Sequence, residues 1–236
     1  MNIQYCSDYN EMSQMSCDSI VSDLNKNPKQ LICTATGNSP TGTYEKLAIV
    51  FKEDPKLFNE LKVIKLDEWG GIDSNELGSC ESYIKEKILQ PLAIPQQRFI
   101  SFNSNPVSPQ KECERIQFEI QKKGPIDICI LGLGQNGHIG FNEPTNTLTP
   151  NCHVAELTTD SLKHQMINAI NKKPTYGLTL GMADILQSKK IILLISGRKK
   201  KEVIKKLLSK QITTNLPASF LWLRSQVDCY IDSNSV

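Results

Sequence analysis

The sequence predicts an α/β protein: a doubly wound, mostly parallel, Rossmann-like sheet flanked by helices, in a single domain spanning residues 1–236. Three observations predict it. Short apolar runs at Gln30–Ala35, Leu61–Leu66, Ile126–Leu133 and Lys190–Ser196 lack polar alternation and read as strands buried on both faces, the pattern of a parallel sheet. Amphipathic stretches separate them, as crossover helices would. The 236 residues, 39% hydrophobic and 22% charged, suffice for one well-buried core, whereas two would be cramped.

In chain order, Asp8–Asn25 carries apolar residues at Met12, Met15, Ile20, Val21 and Leu24, a helical pattern ended by Asn27-Pro28. Gln30–Ala35 (QLICTA) is a strand running into Thr36-Gly37-Asn38-Ser39-Pro40. A helix is expected to open there with Ser39 as its cap and Pro40 at its first position. The small loop before it, with free N–H groups and the hydroxyls of Thr36 and Ser39, suits a phosphate. It is no Walker A loop, because the Gly-Lys-Ser/Thr ending is missing.

Leu61–Leu66 then delivers Asp67-Glu68-Trp69. In extended backbone two adjacent carboxylates point oppositely, so at most one enters a shared crevice; the plain alternative is an exposed acidic turn. A helix over Ser79–Gln90, a short strand near Arg98–Phe102 and a charged helix over Pro109–Lys123 follow.

Ile126–Leu133 ends in Gly132-Leu-Gly134-Gln-Asn136-Gly137-His138-Ile-Gly140-Phe-Asn142-Glu143-Pro144. Its Gly-x-Gly-x-x-Gly spacing invites a dinucleotide reading, but the third glycine would have to open a long helix, and Gly140 and Pro144 forbid one. The loop reads instead as one that holds polar side chains at a strand's carboxyl end. Helix candidates follow at Asp160–Asn171, carrying His164, and at Tyr176–Leu186. The strand Lys190–Ser196 leads into the basic run Arg198–Lys201 and a helix to Lys210, and a last strand lies near Val227–Ile231. A basic cluster beside a helix N-terminus is unfavourable unless an anion binds there.

The balance of 27 basic and 25 acidic residues, net +2, gives no field that argues for nucleic acid or an anionic membrane. Eight cysteines show no C-x-x-C pair, so neither zinc nor a disulfide framework is expected. The start MNIQYCSDYNEM has neither the charged end nor the apolar run of a signal peptide, and no apolar stretch approaches spanning length. The expectation is a reduced, cytoplasmic protein. Neither a heptad nor an isolated apolar face announces an interface between copies.

LGLGQNGHIGFNEP, KLDEWGG and ATGNSPTGTY together resemble the glucosamine-6-phosphate deaminase and 6-phosphogluconolactonase superfamily, along nearly the whole chain. HIGFNEP is similar to the deaminase branch, and GLGQNGHIGFNEP, LDEW, LGSCESYIKEKILQPL and LPASFLWL most resemble the galactosamine-6-phosphate deaminase/isomerase type. The resemblance implies conversion of galactosamine 6-phosphate to tagatose 6-phosphate and ammonia, without cofactor or metal. In that chemistry His138 opens the ring, Asp67 moves the C2 proton to C1, and Glu143 supports His138. Thr36, Gly37, Asn38, Ser39 and Lys200 would hold the phosphate, while Arg198 and Lys199 fall outside the pattern. His164 lies where relatives have a lid.

Asn136 stands where glucosamine-type enzymes carry aspartate, which agrees with the galactosamine type. Thr145–Ala155 contains no Lys or Arg, so activation by N-acetylglucosamine 6-phosphate is not expected. The alternatives are glucosamine 6-phosphate as substrate, a lactonase-type hydrolase using His138 as base, and a non-catalytic sugar-phosphate sensor.

Overall fold

The computed structural model describes residues 1–158, 161–163, 165–170 and 172–236. Seven strands form one sheet in the order β1-β10-β9-β6-β2-β3-β5, every neighbouring pair parallel. Here β1 is Asn2–Cys6, β2 Leu31–Thr34, β3 Lys62–Lys65, β5 Phe99–Ile100, β6 Ile128–Gly132, β9 Lys190–Ile195 and β10 Val227–Asp232. A small antiparallel sheet, β4-β8-β7, joins β4 (Asp67–Gly70), β8 (Tyr176–Thr179) and β7 (His153–Ala155).

The side-chain period of two sorts each central strand onto two cores. Cys33, Cys129, Leu131, Ile191 and Leu193 pack on one face with α4 (Pro109–Lys123), α5 (Met182–Leu186) and α6 (Lys201–Leu208). Ile32, Ile128, Ile130, Ile192 and Leu194 pack on the other with α1 (Tyr9–Lys26) and α2 (Asn38–Glu53). Both faces are therefore covered, which is why these strands tolerate no polar alternation.

From β2 the chain proceeds outward to β3 and β5, then crosses back to β6, β9 and β10. That reversal makes the β2/β6 boundary the topological switch point, and a crevice opens beyond the strands' carboxyl ends there. Cys33 pairs with Cys129 across it.

Four expectations are corrected. Tyr176–Leu186 is not one helix, for Tyr176–Thr179 is strand β8, and only Met182–Leu186 is helical. The reason is the pairing of β8 with β4 and β7, and Gly177 marks it: a Cβ there would lie 2.6 Å from the Phe141 ring, so the strand needs glycine where the loop after β6 packs on it. Asp67–Gly70 is strand β4, buried throughout, rather than an exposed acidic turn. The helix after β2 opens two residues early, at Asn38, capped by Gly37 at φ +105° with no side-chain cap, so Ser39 does not cap it. In place of a single helix over Asp160–Asn171 the chain makes 3₁₀ turns at Ser161–Lys163 and Gln165–Ala169, while Asp160, His164 and Asn171 lie outside the described residues. Strand β1 was not foreseen at all, because it takes its partner from the far end of the chain.

All eight cysteines are free thiols, seven of them buried. Among the described residues no helix is long and apolar enough to cross a membrane.

Candidate active site

The crevice at the switch point encloses about 580 Å³ and is lined by the loops after β2, β3, β6 and β9. Of the residues singled out from sequence, Thr36, Gly37, Asn38, Ser39, Asp67, Asn136, His138 and Lys200 all line it. Glu143 does not. It sits behind His138, with its Oε1 3.2 Å from His138 Nδ1.

The loop after β6 is shaped around the imidazole. A Cβ on Gly134 would fall 2.4 Å from His138 Cδ2, so the ring rests on bare backbone, and Gly134 N–H donates to the His138 carbonyl at 3.0 Å. Gly137, at φ +91°, takes a left-handed conformation that an L side chain rarely adopts. Asn136 ties the loop together, its Oδ1 accepting from the His138 N–H at 3.1 Å and its Nδ2 donating to Glu143 Oε2 at 2.8 Å. Ser161 donates to Glu143 Oε1 at 2.5 Å. Burial acts to raise the Glu143 pKa, but donors from His138, Ser161 and Asn136 more than offset it and hold the carboxyl down at about 2. Glu143 is thus a fixed anion behind the imidazole.

Asp67 enters from the opposite wall at the start of β4 and is 9% exposed. Burial first, then the neighbouring Glu68 charge, push its pKa up to about 7, against the opposing pull of His138, Lys65 and the Cys80 thiol. A carboxyl poised there can both take and return a proton near neutrality.

At the third side, the N-terminal turn of α2 presents backbone N–H groups with no partner inside the helix. The carbonyl of Gly37 is held by Tyr83 and Thr41, and that of Asn38 by Tyr9. Ser39 Oγ meets Ser196 Oγ at 2.9 Å, joining the loops after β2 and β9. Lys200 stands at the N-cap of α6, its ammonium donating to the Leu133 carbonyl, and burial draws its pKa down to about 8. Two helix N-termini and a partly desolvated ammonium make an anion-binding corner. Arg198 and Lys199, set aside in the sequence reading, also line it.

Sequence reasoning missed Cys80, Trp69, Phe141, Ser161 and Ser196, all on the crevice wall. Trp69 and Phe141 pack in a tilted pair, ring centroids 4.6 Å apart and planes at 58°. The LDEW and FNEP motifs already held two of them, but nothing local places Cys80, whose Sγ lies 3.9 Å from Asp67 Oδ1 and 3.8 Å from Thr36 Oγ1. Among the described residues no group of three His, Cys, Asp or Glu side chains is placed to hold a metal ion.

A family model describing glucosamine-6-phosphate isomerases/6-phosphogluconolactonase matches residues 9–230, a span that includes the histidine, the buried aspartate and the anion corner. The chain belongs to that family. Among its relatives, the inferred deaminase AgaI of Escherichia coli (strain K12) is 35% identical over 98% of this chain and 92% of its own. Glucosamine-6-phosphate deaminase 1 of Bacillus subtilis (strain 168) is 34% identical over 98% of this chain and 97% of its own. A solved family structure, a monomeric glucosamine-6-phosphate deaminase described as a missing link of the NagB superfamily, superposes with a TM-score of 0.94 at 33% identity, covering 100% of this chain and 98% of that one. The 6-phosphogluconolactonase of Thermotoga maritima shares the fold at 20% identity, with a TM-score of 0.77.

Proposed function

We propose that the whole chain, residues 1–236, works as one amino-sugar phosphate deaminase/isomerase domain, and that its substrate is galactosamine 6-phosphate, converted to tagatose 6-phosphate and ammonia. The observation that carries this reading is that Asp67 and His138 face one crevice whose third side is an anion corner. A sugar phosphate anchored at Thr36–Ser39 and Lys200 would lay its C1 and C2 between them.

His138 moves a proton between the ring oxygen and the anomeric hydroxyl, which opens the pyranose. Asp67 takes the C2 proton and the pair of electrons left on C2 forms the enolamine with C1. Asp67 returns the proton to C1, the enolamine becomes a C2 imine, water adds at C2, and ammonia leaves. Glu143, anionic and backed by Asn136 and Ser161, stabilises the imidazolium that forms transiently on His138. The chemistry needs neither metal nor cofactor, because each step is a proton transfer or a hydration.

The galactosamine preference rests on Asn136. Its Nδ2 is a donor to Glu143, a part that the aspartate of glucosamine-type enzymes plays only when protonated. The second reading, glucosamine 6-phosphate to fructose 6-phosphate and ammonia, is favoured by the printed names of several relatives of about one-third identity. The lactonase reading draws on the shared family description and on fold similarity below 25% identity, whereas the relatives of about one-third identity are named as deaminases.

The deciding experiment is ammonia release from both amino-sugar phosphates side by side, with an Asp67→Asn control. Release chiefly from the galactosamine compound, lost in the control, is the expected result. Release chiefly from the glucosamine compound would overturn the substrate choice, and silence with both would overturn the reaction.

A further inference from the structure

Behind Asp67, on the far side of β4, lies a charged cluster that touches no substrate. Lys65 is fully buried, its Nζ 2.6 Å from Glu68 Oε2 and 2.8 Å from Glu81 Oε2. Glu68 is likewise 0% exposed and accepts four hydrogen bonds. Its Oε1 takes the N–H groups of Trp69 at 2.8 Å and Cys80 at 2.9 Å, and its Oε2 takes the Lys65 ammonium and the Glu81 N–H at 2.8 Å. Every one of these partners is an N–H donor, so both oxygens of Glu68 act as acceptors and its side chain is fixed from four directions. With two carboxylates to one ammonium the cluster carries a formal charge of −1, relieved only at its rim by Lys85, 3.4 Å from Glu81 Oε1.

We propose that Glu68 is a positioning residue for the deamination reaction: its buried carboxylate, locked by Lys65 and by the backbone N–H groups of Trp69, Cys80 and Glu81, fixes the Asp67 end of β4 against α3 and sets a charge one residue from the base, with Lys65 and Glu81 keeping it in place. The inference rests on the role proposed for Asp67. Adjacent residues of an extended strand face opposite ways, so the charge acts through low-dielectric protein without competing for the substrate. The titratable groups whose charges act on Asp67 include Glu68 from β4, His138 from the loop after β6, Lys65 from β3, Cys80 from α3 (Cys80–Ile84) and Cys33 from β2. Of these Glu68 is the strongest influence that opposes ionisation, after burial itself. The same four donors fix β4 to α3 and so hold the Asp67 backbone, which joins the electrostatic role to a geometric one. A carboxylate of ordinary basicity would draw the C2 proton poorly at neutral pH, and a raised one draws it better while still releasing it to C1.

The test is Glu68→Gln. The acid limb of kcat for ammonia release is expected to move down by about one pH unit, with a few-fold lower plateau, as a weaker base requires. Direct titration of Asp67 in the free protein, by carbon-13 carboxyl NMR assigned with Asp67→Asn, should show the same shift. A folded variant with both limb and titration unmoved overturns the proposal, since a purely structural role lowers activity at every pH alike. If Glu68→Gln does not fold, Glu81→Gln decides by the same two measures, with a smaller shift in the same direction, because its amide oxygen still accepts from Lys65. Should the native protein release no ammonia, the reaction assignment falls while the carboxyl titration still judges the influence of Glu68.

Discussion

Replacing Asn136 by aspartate sets an oxygen where an N–H now lies 2.8 Å from Glu143 Oε2. Two ionised carboxylates at that separation repel by about 6 kcal/mol at an effective dielectric constant of 20. Taking up one proton at pH 7 on a group of pKa near 4 costs about 4 kcal/mol, the lesser penalty, so the pair should share a proton at neutrality. Asn136→Asp is therefore expected to be destabilised by about 4 kcal/mol at pH 7, a loss of roughly 8–16 °C in melting temperature for a chain of this size. The penalty shrinks by about 1.4 kcal/mol for each pH unit below that, so most of it should be gone by pH 5. Calorimetric melts of native protein and variant at pH 7 and pH 5 measure it directly. An equal loss at both pH values, or none at either, would refute the view that Asn136 is there as a neutral donor to an ionised Glu143. A variant retaining activity is also expected to release relatively more ammonia from glucosamine 6-phosphate than the native chain does.

Asp67→Asn should abolish ammonia release yet melt higher than the native protein at pH 8. The Asp67 pKa stands above its unfolded value, so its ionisation removes stability progressively from about pH 4 to pH 7, and a neutral amide avoids a loss of a few kcal/mol; a lower melting temperature would contradict this. Lys200→Met should raise KM for the sugar phosphate by about 10–100-fold with kcat changed only a few-fold, as loss of one charge-assisted contact predicts. In the native protein KM should climb above about pH 8 as that ammonium loses its proton, and steady-state kinetics across pH would expose a flat profile if the phosphate rests elsewhere.

The central strands were legible because burial on both faces leaves one composition available to them, and the loops at their carboxyl ends stood out by contrast. Asp67, Asn136, His138 and the Thr36–Ser39 loop could thus be placed together before any coordinates. What escaped depends on partners remote in sequence. Tyr176–Thr179 pairs with β4, more than a hundred residues earlier, and the apolar spacing of Met182, Ile185 and Leu186 drew the helix reading backwards over it. Gly177 within that stretch was the available warning. Cys80 is held at the crevice by Glu68, which takes its backbone N–H, and Ser161 by its bond to Glu143. Neither signal is local. The eventual role of Glu68 was likewise hidden, since an acidic pair at a strand end gives no sign of which member will meet a buried lysine.

Among the described residues strand β1 forms the sheet's edge and pairs with β10 alone, with Asn2 opposite Asp228 and Cys6 opposite Asp232. On the ribosome β1 is made long before β10 and has no place to dock until β10 emerges. Well over two hundred residues must be joined before that ladder can close, a separation that slows folding by its loop-closure cost. The interior strands around the crevice can assemble earlier, so the nascent chain should acquire that crevice before its edge is sealed.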